Sequence, residues 1–351
     1  MFVHCPIMNF NSHFMNPSTI ADAHARIAPY IHRTPLLSSS ILNDFLGHEI
    51  IFKVEGLQKI GAFKIRGALN TLLKLKEEGN LPQEVVAFSS GNHAQAVALA
   101  SKILGINSTI VLPSFTSPIK QQATASYGAR IINTATRREA EEKTAEIKAQ
   151  GAYFIHPFDN DDVIAGQGTS CFEALQDGAN PDAIFATCGG GGWISGTFLA
   201  KELLAPKVAV FAGEPLQAND AARSYKSGEI FKFNDSPPTI ADGARAPEIS
   251  ERTFKYLKQL NGFYEIDEDQ IIYWTQWLMN LLKVVVEPTS AVSMGAAFEW
   301  LKTQKTKQRV LVMLSGGNIA PETYRAIWEK NYLDVVPKDL DIDFVAISNR
   351  S

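Results

Sequence analysis

Long apolar runs are missing from this 351-residue sequence. No stretch approaches the length that crosses a bilayer, so no membrane span is expected. There is no basic stripe and no Lys/Arg cluster interleaved with aromatics. Lys+Arg total 33 against 37 Asp+Glu, a formal charge of -4, which leaves no electrostatic footprint for nucleic acid. Cysteine is scarce. Cys5, Cys171 and Cys188 are odd in number and widely scattered, fitting neither a disulfide framework nor a metal-ligand spacing. Such usage suits a reducing cytoplasm. The first residues, MFVHCPIMNFNSHFM, have neither a basic n-region nor an apolar h-region and do not read as a secretory signal. Met8 and Met15 leave a later translation start open. No repeat or low-complexity tract occurs. What remains is an ordinary globular composition, 45% hydrophobic and 20% charged, long enough for more than one domain.

Short β-rich runs alternate with helical ones through the middle of the chain. VVAF (Val85 to Phe88) precedes a helix from about His93 to Leu104, and STIVLP (Ser108 to Pro113) one from Ser117 to Tyr127. ARIINT (Ala129 to Thr134) precedes the charged run REAEEKTAEIKAQ, and AYFIHP (Ala152 to Pro157) closes the set. This alternation predicts a small parallel sheet covered by helices on both faces. AIFATC (Ala183 to Cys188), VAVFAGE (Val208 to Glu214) and RVLVMLS (Arg309 to Ser315) are nearly continuous apolar runs, as expected of strands buried on both faces. The organisation expected is a larger domain from 17–74 and 158–330, with a smaller α/β domain, 75–157, inserted. Residues 1–16 and 331–351 read as terminal extensions.

Ligands of open parallel sheets bind at the carboxyl ends of strands. Four segments there carry chemistry. Lys64 lies in QKIGAFKIRGALN, after the apolar run EIIFKVE and at the start of a helical pattern. Flanked by Phe63 and Ile65, its amine is open to desolvation, which lowers a lysine pKa and makes a nucleophile. A surface lysine packing its stem on Phe63 is the ordinary alternative. TCGGGGWISG holds Gly189, Gly190, Gly191 and Gly192 between a strand and a helix. Converging amides and a helix N-terminus cradle a phosphate, although tight strand-helix turns use glycine too. Ser89, Ser90, Gly91, Asn92 and His93 form the turn after VVAF, where Ser and Asn are expected to cap the helix start and free amides to hold a carboxylate. Ser315, in VMLSGGN, ends another buried strand.

Taken together and in this order, these segments resemble fold-type II pyridoxal-phosphate enzymes of the serine/threonine dehydratase and serine racemase family. The resemblance runs from about Ile20 to Asn318 and includes HPFDNDDVIAGQGT, PPTIADGA and VVVEPTSAV. It implies a two-domain fold like that of tryptophan synthase β, with parallel sheets wrapped by helices, and a homodimer. It makes Lys64 the amine that holds pyridoxal 5'-phosphate, with Phe63 beside it and Gly189 to Gly192 on the phosphate. Asn92 then faces the cofactor 3-hydroxyl, Ser315 the pyridine nitrogen, and Gly243 and Glu287 the ring. The family has serine before its Phe-Lys pair where this chain has Ala62. A neutral hydroxyl at Ser315 makes the ring a weaker electron sink than an aspartate would, which suits prompt β-elimination.

The activity implied is loss of water from a small hydroxy-amino acid, L-threonine or L-serine, with Lys64 removing the α-proton. The released enamine then hydrolyses to a 2-oxo acid and ammonia. Ser90 matches the serine that racemases place opposite the lysine, where threonine dehydratases have alanine, so racemisation is a second implied activity. threo-3-Hydroxyaspartate is an alternative substrate, and a phosphate-ligand binding protein without turnover is the alternative of another class; intact Lys64, Ser90 and Ser315 argue against the latter. Glu214, Ala218 and Asp220 have the spacing at which serine racemases bind a divalent cation, Mg²⁺ or Ca²⁺, although a solvated loop with two acids reads the same way. Arg137 and Arg138 are read as helix-surface arginines, Cys188 as a buried packing residue, and His93 as packing or capping. The chain has no room for the C-terminal regulatory domain of long threonine dehydratases, so feedback control there is not expected.

Overall fold

The apolar runs form strands and the mixed runs between them form helices, in a computed structural model that describes residues 14–89, 91–114 and 118–339. The chain opens with α1 (Thr19–Ile27), β1 (Leu36–Leu37), α2 (Ser40–Leu46), β2 (Glu49–Val54) and α3 (Lys64–Glu77). An alternating block follows: β3 (Glu84–Phe88), α4 (Asn92–Leu104), β4 (Asn107–Pro113), α5 (Pro118–Ser126), β5 (Arg130–Thr134), α6 (Arg137–Ala149) and β6 (Tyr153–Phe154). Next come α7 (Asp161–Gln176), β7 (Ala183–Thr187), α8 (Gly192–Leu204), β8 (Ala209–Pro215), α9 (Asp220–Ser227) and α10 (Glu251–Leu257). The last elements are β9 (Gly262–Ile266), α11 (Glu268–Leu282), α12 (Pro288–Leu301), β10 (Arg309–Leu314) and α13 (Pro321–Ile327).

These strands make a six-stranded sheet, β1-β2-β10-β7-β8-β9, and a four-stranded one, β5-β4-β3-β6. Every pairing is parallel except β1 with β2. Strands β1 and β9 carry weak sequence signals, the first only two residues long and the second half-exposed at the sheet edge. The run AYFIHP yields only Tyr153–Phe154, because Ile155 onward turns away toward α7.

Alternate residues of the larger sheet feed two cores, as the period of a strand requires. Val310, Val312 and Leu314 pack under α11 and α12, while Leu311 and Met313 face α7 and α8. The helices of the second layer touch backbone to backbone. A Cβ on Gly166 would sit 2.4 Å from the Arg66 carbonyl oxygen, and one on Gly168 2.5 Å from that of Gly196. Helix α7 is thereby wedged between α3 and α8, which fixes the start of α3 relative to the glycine loop. Among the described residues no helix is long and apolar enough to cross a membrane.

Candidate active site

Strand β2 does not run straight into α3. Two 3-10 turns intervene, and Ile60 and Gly61 have φ of 65° and 70°. A β-branched residue at positive φ is strained, and such strain persists only where neighbours over-determine it. Here the Asn318 amide donates to the Ile60 carbonyl at 2.6 Å, and Gly317 N–H donates to the Gly61 carbonyl at 3.0 Å. Phe63 N–H donates to the Ser315 carbonyl at 3.0 Å. The turn after β10 therefore holds the segment that presents Lys64. Lys64 is the first residue of α3, and its Nζ donates to the Pro157 carbonyl at 2.9 Å. Burial pushes its amine down to about 8, with the Glu287 carboxylate acting in the opposite sense.

The glycine loop leaves β7 at the adjacent strand end. Gly191 has φ 85° and immediately precedes α8, so its amides and those of the first helical turn lie where an anion is favoured. The loop is glycine for lack of space: a Cβ on Gly190 would lie 2.1 Å from the Phe158 ring. Phe63 stacks on Trp193 with centroids 4.3 Å apart and 12° between planes, coupling Lys64 to the start of α8. Burial raises the Cys188 thiol, with Glu214 and Asp220 adding to the shift, as suits a packing residue and not a nucleophile.

The turn after β3 departs from expectation. Ser90 lies outside the described residues, and Asn92 does not cap α4; Gly91 occupies the cap position with no side-chain bond. Asn92 is instead the first residue of α4: its Nδ2 donates to Glu287 Oε2 at 3.1 Å, and its Oδ1, the atom that would cap, is taken by Asn318. The Ser315 hydroxyl donates to Glu287 Oε1 at 2.7 Å, and the Asn318 amide donates to Asn92 Oδ1 at 2.8 Å. Lys64, Asn92, Glu287 and Ser315 thus converge. Gly243 N–H donates to Thr289 Oγ1 at 3.0 Å, in the turn packed on α12. His93 is buried, its Nε2 bonded to the Ile155 carbonyl at 2.8 Å, and burial with the Lys64 charge pushes it down to about 3. Arg137 and Arg138 make i,i+4 pairs with Glu141 and Glu142, and Arg137 also lies 5.1 Å from the Phe88 ring centroid.

Sequence reading missed the Ile60–Gly61 strain, the Pro157 carbonyl and the Trp193 stack. Gly61 within KIGAFK was the only visible hint of a left-handed turn.

Residues 27–316 match the family described as pyridoxal-phosphate dependent enzymes. The chain belongs to this family. Among curated members it is 40% identical to L-threo-3-hydroxyaspartate ammonia-lyase of Saccharomyces cerevisiae, covering 88% of this chain and 94% of that one. It is 41% identical to a serine racemase of Dictyostelium discoideum, over 86% of this chain and 94% of that one. The crystal structure of T.th. threonine deaminase superposes with a TM-score of 0.81 at 39% identity, covering 86% of this chain and 98% of that one. These are fold-type II relatives, and the pyridoxal-phosphate family supplies the cofactor assignment.

The residues present fit that cofactor. A desolvated lysine, an anion-favouring glycine loop and the Ser315 hydroxyl stand at the ends of β2, β7 and β10 in one sheet. When bound, the cofactor supplies an electron sink for bonds at the substrate α-carbon. A second acidic site lies beyond β8. Glu214 accepts from the Ala221 and Ala222 amides at 3.2 and 2.8 Å, whereas neither buried oxygen of Asp220 has a hydrogen-bond partner. Burial raises both acids, Asp220 to about 7, and the Asp220 charge raises Glu214 further. Ala218 closes the 3-10 turn between them. Among the described residues no three His, Cys, Asp or Glu side chains gather to hold a metal.

Proposed function

We propose that this pyridoxal-phosphate enzyme eliminates water from a small hydroxy-amino acid, L-threonine or L-serine, giving a 2-oxo acid and ammonia. The desolvated Lys64 amine carries the reading: at about 8 it is available as a base near neutral pH. Lys64 holds the cofactor and takes the substrate α-proton onto its Nζ. Phe63 lies beside the cofactor, the amides of Gly189 to Gly192 seat the phosphate, and Ser315, Asn92, Glu287 and Gly243 orient the ring. The turn from Ser89 through His93 receives the substrate carboxylate at the α4 N-terminus. Ser90 is the proton donor of this reading, adding racemisation of serine. The 40% identity to a hydroxyaspartate ammonia-lyase supports threo-3-hydroxyaspartate as a second substrate, and the Arg137 guanidinium over Phe88, next to Ser89, offers a partner for its extra carboxylate.

Glu214, Asp220 and the Ala218 carbonyl form the cation site of this reading, for Mg²⁺ or Ca²⁺. Two buried acids, one with no partner, are stabilised by an oxygen-seeking divalent ion. Cysteine usage supports a cytoplasmic enzyme, and the family resemblance supports a homodimer. The 75–157 segment, with its own sheet, serves as the smaller domain.

The test is borohydride reduction followed by peptide mass mapping, then 2-oxo acid release from serine, threonine and threo-3-hydroxyaspartate. Label on Lys64 and turnover of at least one of them is expected. Near-normal ammonia release from Lys64→Ala would sink the assignment.

A further inference from the structure

Residues 155–160, between β6 and α7, reach five parts of the molecule at once. His93 donates to the Ile155 carbonyl at 2.8 Å, and Lys64 Nζ to that of Pro157 at 2.9 Å. Phe158 fills the space in front of Gly190 and Gly192. Arg252 donates to Asp159 Oδ1 at 3.0 Å, and Asn160 caps α7 through Val163 N–H at 3.0 Å.

His156 folds this segment. Its Nδ1 accepts from the Phe158 amide at 3.3 Å and the Asp159 amide at 2.7 Å. The ring meets Phe158 edge-on at 4.6 Å and Phe154 edge-on at 5.7 Å. Two donors on Nδ1 require the tautomer protonated at Nε2. Burial and the Lys64 charge push His156 down to about 4 against the pull of Asp159, so Nδ1 keeps its lone pair across the neutral range. Pro157 has no N–H, and its carbonyl is free to face the site.

We propose that His156 is a positioning residue: by capping the Phe158 and Asp159 amides it fixes the Pro157 carbonyl as the resting acceptor for the free Lys64 amine. The inference rests on the Lys64 reading above. With substrate bound in place of the lysine, the Lys64 amine would be free on a flexible four-carbon stem. A fixed acceptor confines it near the substrate α-carbon whose proton it takes, and proximity of that kind is worth large factors in rate. Glu287, His93 and His156 are the titratable groups around the amine.

The experiment compares His156→Phe, which keeps an aromatic ring and removes the acceptor, with His156→Asn, whose side-chain oxygen accepts amides two and three residues on. Two readouts are taken: kcat and KM with L-serine, and the rate at which cofactor-stripped protein recaptures added pyridoxal phosphate covalently, followed by absorbance. His156→Phe is expected to lose about tenfold in both kcat and capture rate with KM within about threefold, and His156→Asn to recover most of both. His156→Leu stands in as the acceptor-free variant should the Phe variant not fold. Parent-like kcat and capture in the acceptor-free variant overturn the proposal, as does an Asn variant that fails equally. Borohydride label on Lys64 with an unaffected His156 variant removes only the positioning role, whereas label on another lysine removes the Lys64 reading itself.

Discussion

Lys64 and Arg66 are two residues apart on α3, the first partly and the second fully buried, yet their ionisation shifts in opposite directions. Arg66 forks onto two carboxylates: Nε and Nη2 donate to Glu55 at 2.7 and 2.9 Å, Nη1 and Nη2 to Glu173 at 2.8 and 2.8 Å. Lys53 closes the cluster, donating to Glu173 at 2.8 Å and to the Thr34 carbonyl at 2.7 Å. Burial alone would depress Arg66, but Glu55 and Glu173 outweigh it and hold the guanidinium charged. Lys64 has one neutral carbonyl acceptor and one carboxylate that Asn92 and Ser315 already engage. Burial sets the cost of a charge, and the partners decide whether it survives. Residues two apart on a helix point to nearly opposite sides, so one face anchors α3 and the other keeps an amine ready to lose its proton.

Removing each cation separates the two roles. Lys64→Ala should lower turnover by roughly 10³-fold or more, the scale of losing a positioned base and nucleophile. Its urea midpoint should stay near the parent's, because the Arg66 cluster is untouched. A large loss of stability would place Lys64 among the structural charges. Arg66→Met should do the reverse, leaving Glu55 and Glu173 buried without their main partner. A cost of about 3–5 kcal/mol in denaturant unfolding is expected, as for other broken buried pairs. An Arg66→Met protein of parent stability would mean that Lys53 alone satisfies both acids.

The sequence disclosed the Lys64 side of this contrast more readily than the Arg66 side. Apolar runs located β2, β3, β7, β8 and β10, and the loops at their carboxyl ends carried the candidate chemistry in quotable strings. The Arg66 cluster was illegible, because Glu55 and Glu173 are far apart in the chain and meet only through the wedge of α7. The same limit hid Pro157, a backbone acceptor with no side-chain signature. Asn92 was expected to cap α4 and instead turned to Glu287, a contact across 195 positions that local capping rules do not register.

Glu287 tests the electrostatics at closer range. Its charge raises Lys64 against the larger effect of burial, so Glu287→Gln should move the lysine further below about 8. A base must be deprotonated to act, and the acid limb of the kcat–pH profile should therefore shift to lower pH. A shift to higher pH would show that water enters the site when the carboxylate is lost. In cofactor-free protein the depressed lysine binds fewer protons folded than unfolded between about 8 and 10.5. Stability from this group should rise with pH across that window and be lowest below it.

The smallest expected effect concerns the buried acids Glu214 and Asp220, of which only Glu214 has hydrogen-bond partners. Among the described residues no cation compensates here, in contrast to the Arg66 cluster, and burial favours the protonated acids. A divalent ion binds the carboxylates only after displacing those protons, which makes its affinity depend on pH. With Asp220 raised to about 7, its share of that penalty should vanish at pH 8 and grow by roughly tenfold for each unit below 7, while Glu214, raised by burial and by the Asp220 charge, adds a share in the same direction. Melting temperature measured with and without chelator should differ by a few degrees at pH 8 and by less at pH 6. Asp220→Asn should abolish the difference at both values, because a neutral amide replaces the acid that has no protein partner. If the chelator effect is absent at pH 8, or larger at pH 6, the two acids are simply a protonated buried pair. The protein would then hold two solutions to buried charge, pairing at Arg66 and neutralisation at Lys64 and Asp220, with no third supplied by a metal.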